Sequence, residues 1–158
     1  MDFDIGEKVI HCAHGLGEIV NIEEKNIHGS LTKCYVVRTS DLTIWIPIND
    51  LQQHSLRLPT PPEEFLRLSA ILTNPSEILL EDRVLRKDKL MAQMNDGQLA
   101  SICRVVRDLT HYKRSTRLSS QEKSILEKAM NSLLTEWTYS LGMTLNQAQQ
   151  AMTNLLGG

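Results

Sequence analysis

The chain has 158 residues, 41% of them hydrophobic and 23% charged, a balance that suits one compact domain or two small ones. It excludes a disordered tail, a collagen-like repeat and a disulfide scaffold, and a formal charge of −2 excludes a uniformly basic nucleic-acid coat. A local basic patch is still allowed. Aromatics are only 4%, so a core must rest on Leu, Ile, Val, Ala and Met.

The start, Met1-Asp2-Phe3-Asp4, carries two acids and no following apolar run, which argues against a signal peptide. No apolar stretch approaches a membrane span. Cys12, Cys34 and Cys103 make an odd set without a CxxC pair, and reduced thiols in a cytoplasm are the simplest expectation.

Residues 1–58 read as β structure. Val9-Ile10-His11, Gly17-Glu18-Ile19-Val20, Cys34-Tyr35-Val36-Val37 and Leu42-Thr43-Ile44-Trp45-Ile46 are short, β-branched and partly alternating. Ile22 and Ile27 prolong the second block. Gly15 and Gly17 suit a tight turn or a close backbone approach. His28-Gly29-Ser30 reads as a hairpin tip, and Ser40-Asp41 as another turn. A small antiparallel barrel is expected, because closure hides edges that a short flat sheet exposes.

Residues 60–158 read as helices. Thr60-Pro61-Pro62-Glu63 combines an N-cap, a proline at the first position and an acid. Phe65, Leu68 and Leu72 follow at helical spacing. Asn74-Pro75-Ser76-Glu77 repeats the start signal and predicts a helix to about Met94 that carries Ile78, Leu79, Leu85, Leu90 and Met91. Asn95-Asp96-Gly97 breaks it. Leu99, Ile102, Cys103 and Val106 form the next stripe. Ser119-Ser120-Gln121-Glu122 is a capping box ahead of Ile125, Leu126, Ala129, Met130, Leu133 and Trp137. Gly142 reads as a stop, and Thr144-Leu145-Asn146-Gln147 opens a last helix. The reading is an α+β chain in two parts, 1–58 and 60–158, the second a compact all-α domain of about five helices.

Charge is uneven. Residues 1–60 hold five Lys/Arg against eight Asp/Glu, whereas residues 83–117 hold nine basic against three acidic. Arg83, Arg86, Lys87, Arg104 and Arg107 belong to that segment. On one face they would make a phosphate-binding strip; the alternative is a solvated helical face with ordinary ion pairs. Trp137 falls on an apolar stripe and is expected in the core. Trp45 alternates with Ile44 and Ile46, so it points away from them, as an exposed anchor or as a ring packed under the helices.

Active-site chemistry is hard to find. His11, Cys12, His14, His28 and Cys34 lie close in sequence but lack the loop spacing of a structural zinc site. A Cys–His dyad has no third orienting group. Gly15-x-Gly17 lacks the third glycine of a dinucleotide fingerprint, and no P-loop occurs. Neither a cofactor nor a metal is expected, and the chain reads as non-enzymatic.

The order of segments resembles the bacterial CarD/CdnL family of RNA-polymerase-binding transcription regulators. Phe3-x-Ile5-Gly6-Glu7-x-Val9-Ile10 followed by His14-Gly15-x-Gly17 is similar to the family's opening strand and glycine turn. Ile27-x-Gly29, Tyr35-Val36-Val37 and Leu42-Thr43-Ile44-x-Ile46-Pro47 continue the likeness. In the helical part, Asn95-Asp96-Gly97 before Val105-Val106-Arg107-Asp108-Leu109, and Leu118-Ser119-x-x-Glu122-Lys123, resemble the family's equivalents. The resemblance implies a Tudor-like barrel that docks on the polymerase β subunit and a helical domain that touches promoter DNA at the upstream edge of the bubble, through phosphate and minor groove. It implies stabilisation of the open promoter complex without much sequence readout, and a nucleoid-associated cytoplasmic protein. Lys25 falls where the family carries a basic docking residue; at the position of Trp45 the family often has a basic residue.

One departure matters. By spacing to Gly97, Arg83 stands where the family commonly carries a wedging Trp. An apolar wedge unstacks a base step; an Arg instead enters a narrow minor groove or binds phosphate. Two rivals therefore stand beside the polymerase-and-DNA reading: a module that binds polymerase alone, and a small metal- or thiol-dependent enzyme on His11, Cys12, His14 and Cys34. An exposed barrel edge leaves open a monomer or a strand-exchanged dimer.

Overall fold

A computed structural model of the chain describes residues 3–48 and 55–157. The chain divides into two compact units, Met1–Pro59 and Thr60–Gly158.

The first unit is an antiparallel sheet of β1 (Lys8–His11), β2 (Gly15–Ile27), β3 (Ser30–Arg38), β4 (Thr43–Pro47) and β5 (Leu56–Arg57). The strand order is β4-β3-β2-β1-β5. The expected antiparallel β unit is present, but closure is not: among the described residues β4 and β5 each pair on one side only, so the sheet is open. The β2–β3 turn falls on the anticipated tip. His28 (φ 52°) and Gly29 (φ 83°) are both left-handed, as a two-residue type I′ hairpin requires. Gly17 is dictated by proximity, since a Cβ there would lie 2.8 Å from Val37 Cγ1 and 3.0 Å from the Arg38 carbonyl oxygen.

Strand alternation then sorts the side chains. Val9, Ile19, Tyr35, Val37, Leu56 and Phe3 form the core, with Ile44 and Ile46 packed against it. Phe3 meets Tyr35 edge-on at 5.6 Å, and its N–H donates to the Tyr35 hydroxyl at 3.0 Å. Trp45 pairs with Val36 and faces the other way.

The second unit holds α1 (Pro62–Ser69), a 3₁₀ turn (Ala70–Thr73), α2 (Arg83–Asn95), α3 (Leu99–Lys113), α4 (Ser120–Leu141) and α5 (Leu145–Leu155). Both capping boxes form, Ser119 with Glu122 and Thr144 with Gln147. Gly142 ends α4 at φ 64°. Trp137 is only 2% exposed in the core, its ring 5.3 Å from that of Phe65.

Two start signals act differently from the expectation. Thr60 does not cap α1; its hydroxyl and N–H both donate to Glu136 Oε2, at 2.6 and 2.9 Å. No helix starts at Asn74, because α2 begins at Arg83. The Val84 and Leu85 N–H groups donate to the Asp82 carboxylate at 2.9 and 3.0 Å. The Leu80 and Glu81 carbonyls, which a longer helix would pair with those N–H groups, accept from Arg86 instead. Residues 75–80 therefore have no regular structure.

Candidate functional site

On the sheet unit, side chains of β2 and β4 meet across β3 in one exposed cluster. Trp45 stands opposite Val36, Glu23 opposite Cys34 and Lys25 opposite Thr32, so all three project from the same face. The indole must cross β3, roughly 10 Å of sheet at the usual strand spacing, to reach β2. There its Nε1–H donates to Glu23 Oε2 at 3.0 Å, and Lys25 Nζ sits 3.9 Å from the ring centroid. The other Glu23 oxygen accepts from Asn21 Nδ2 at 3.1 Å. A cation over an exposed indole contributes about 0.5–1 kcal/mol, so Lys25 and Glu23 together fix the ring's pose. Trp45 remains 38% exposed, and the two residues anticipated for docking are in direct contact.

The cluster borders an open groove of about 420 Å³ lined also by His11, His14, Ile27 and Ile44. His11 and His14 stack at 4.9 Å, and His11 Nδ1 accepts from the Ala13 and His14 N–H groups at 3.0 and 3.2 Å. The pair therefore closes the β1–β2 turn. Among the described residues no three His, Cys, Asp or Glu side chains converge as metal ligands. Burial pushes the Cys34 thiol up, with Lys25 pulling the other way. Burial and Glu136 push Cys103 up to about 12. Both remain protonated and weakly nucleophilic near neutral pH.

On the helical unit the basic residues separate into two classes. Arg83 and Arg104 are exposed and Lys87 is half-buried. Arg83 and Lys87 are one turn apart on α2 and share a face. Arg86 and Arg107 are buried, which corrects their place in an exposed strip. Arg86 Nε lies 2.5 Å from Glu122 Oε2, Nη1 donates to the Leu80 carbonyl at 3.0 Å, and the guanidinium lies 5.3 Å from the Tyr112 ring centroid. Arg107 Nε lies 2.8 Å from Asp108 Oδ1, which also accepts from the Glu77 N–H at 3.1 Å. A guanidinium this far from water persists only with a carboxylate and carbonyls around it, so neither is available to a phosphate.

These two buried arginines and their acids pin the segment before α2, and the pinned segment displays what the sequence reading missed. Ile78 is 95% exposed and Val84 66%, with Leu80 and Leu85 also exposed. In the sequence these four apolar residues stand on either side of Arg83. One local sign of that exposure is in the sequence: Leu79-Leu80 and Val84-Leu85 are adjacent pairs that no single helical stripe buries.

Comparison with known proteins follows the same division. Residues 3–58 match the model of the CarD-like/TRCF RID domain, and residues 67–153 match that of the CarD C-terminal domain. A Bacillus subtilis (strain 168) protein named "Putative transcription factor YdeB" is 29% identical over 154 residues, covering 92% of this chain and 96% of its own length. No described helix is long and apolar enough to cross a membrane. With both of its units matched in order, this chain belongs to the CarD family of transcription regulators.

Proposed function

We propose that this chain is a non-enzymatic regulator in the bacterial cytoplasm that docks on the RNA polymerase β subunit through the Lys25–Trp45 face. Its helical unit then contacts promoter DNA at the upstream edge of the bubble and stabilises the open complex. The observation that carries the DNA part is that Ile78, Leu80, Val84 and Leu85, on either side of exposed Arg83 in the sequence, are all exposed. An apolar group beside a cation suits a base step next to a phosphate. Arg83, Lys87 and Arg104 supply the electrostatic part. The RID match and the exposed, immobilised Trp45 support the polymerase part.

The burial of Arg86 and Arg107 favours a second reading, polymerase binding without DNA contact, because it removes two cations from the strip. Binding of a fork-junction DNA, measured with and without polymerase across a salt series, separates the two. The DNA-contacting reading expects tighter complexes with the protein present and a gain that declines with salt. No gain at any salt while polymerase binding persists would leave the protein-only reading.

A further inference from the structure

The helical unit carries a second concave surface that shares no residue with those discussed above. An open groove of about 880 Å³ runs along α4 and is lined by Leu126, Met130 and Leu134 and by Met152 of α5; Met130 is partly exposed, while the other three belong to the core and offer the groove only their outer edges. The three α4 residues recur every fourth position, so they form one row along the helix. Lys113, Arg117 and Lys123 also line it. They come from the end of α3, the connection and the first turn of α4, which concentrates positive charge where α4 begins. All three are exposed, and no ion pair among the described residues includes any of them. Glu127 is the one carboxylate on the lining.

We infer that this groove receives a short amphipathic helix of a partner protein. Its apolar face lies on Met130 and the outer edges of Leu126 and Met152, and a cluster of Asp or Glu lies at the end facing Lys113, Arg117 and Lys123. The walls are helices and a connection with no open strand edge, so strand addition is not available. From Lys123 to Leu134 the helix rises about 16 Å, room for about three turns with anchors at i, i+3 and i+7. The surface is an open trough and not a chamber that would enclose most of a small ligand. Methionine in the lining adapts to the shape of an incoming apolar face.

The test uses the full chain and two helical probe peptides with identical leucines at i, i+3 and i+7. One carries a cluster of glutamates at one end, the other lysines in their place. The acidic peptide should shift the Met130 and Met152 methyl resonances, and Arg117→Glu or Lys123→Glu should weaken it about tenfold or more. Both substitutions are on exposed side chains, and an unchanged melting temperature confirms that the fold is intact. Equal binding of the two peptides, shifts confined to other residues, or no binding of the acidic peptide would overturn the inference. Dodecanoate moving the same methyls where neither peptide does would also overturn it, by making the groove a site for small amphiphiles.

Discussion

Arg86 and Glu122 are joined at 2.5 Å although 36 residues separate them, with side chains 9% and 5% exposed. The acid serves two elements at once, because its other oxygen accepts from the Ser119 N–H at 2.9 Å in the α4 capping box. One carboxylate thus ties the start of α2 to the start of α4. Removing one partner of a buried pair costs about 3–5 kcal/mol, so Arg86→Ala should lower the urea midpoint strongly without a specific effect on DNA. A variant that unfolds like wild type would contradict the structural role.

The same pair sets an acid limit on stability. Burial works to raise the Glu122 carboxyl, but the Ser119 N–H and the Arg86 guanidinium outweigh it and hold the group below its ordinary value. A carboxylate depressed in the folded state contributes stability above its unfolded value, and that contribution is lost as pH falls through the folded one. Stability measured by denaturant should therefore decline on the acid side of about pH 4.5, and Glu122→Gln should flatten that decline while lowering the plateau at neutral pH. An unchanged acid slope in the variant would assign the decline to other carboxylates.

For docking, Trp45→Ala should weaken polymerase β-subunit binding by about 2 kcal/mol or more, the usual range for a buried aromatic anchor. Lys25→Glu should weaken it too, since it places a carboxylate beside Glu23. Glu23→Leu makes a finer test. It leaves Lys25 and Trp45 in place but removes the acceptor of the indole N–H, so it should weaken binding less than Trp45→Ala and increase the mobility of the Trp45 ring in fluorescence anisotropy. Unchanged binding by all three would remove this face as the docking surface.

For DNA, Arg83→Glu should shorten open-complex lifetimes at many promoters alike, with an effect that fades in high salt. Arg83→Trp should lengthen them by adding a wedge. Leu85→Glu, on a surface that packing does not need, should shorten them without changing polymerase affinity. Should promoter opening ignore all three, DNA contact through this surface is excluded.

In the core, Trp137→Ala should cost about 3–5 kcal/mol. Trp137→Phe should cost far less than Ala, because the indole N–H has no hydrogen-bond partner among the described residues and its loss removes an unpaired buried donor. If Phe is as damaging as Ala in calorimetry, the polar edge of the ring has a role that its surroundings do not reveal.

What was legible in the sequence was local. Ser119 with Glu122, Thr144 with Gln147, Gly142 and the His28-Gly29 tip each carry their instruction within a few residues, and the structure follows them. The outward direction of Trp45 followed from alternation with Ile44 and Ile46. What failed was non-local. Nothing near Arg86 in the sequence names Glu122 as its partner, and a charged residue on a helix reads as exposed until the facing acid is known. The start of α2 was misplaced for the same reason, since Arg86 takes the carbonyls that would have continued the helix toward Asn74. Sheet closure was argued from edge protection, a tendency over many proteins that fixes no particular pair of strands.

The segment at 75–80 is held by its main chain, through the Glu77 N–H at one end and the Leu80 carbonyl at the other. Its outermost side chain, Ile78, is almost wholly in solvent and takes no part in that attachment. Replacing it should leave folding within about 0.5 kcal/mol of wild type while changing what the surface offers a partner. The arrangement uncouples the exposed side chain at position 78 from the hydrogen bonds that hold its backbone. Position 78 of this chain can therefore change one substitution at a time with no compensating change in the two buried ion pairs.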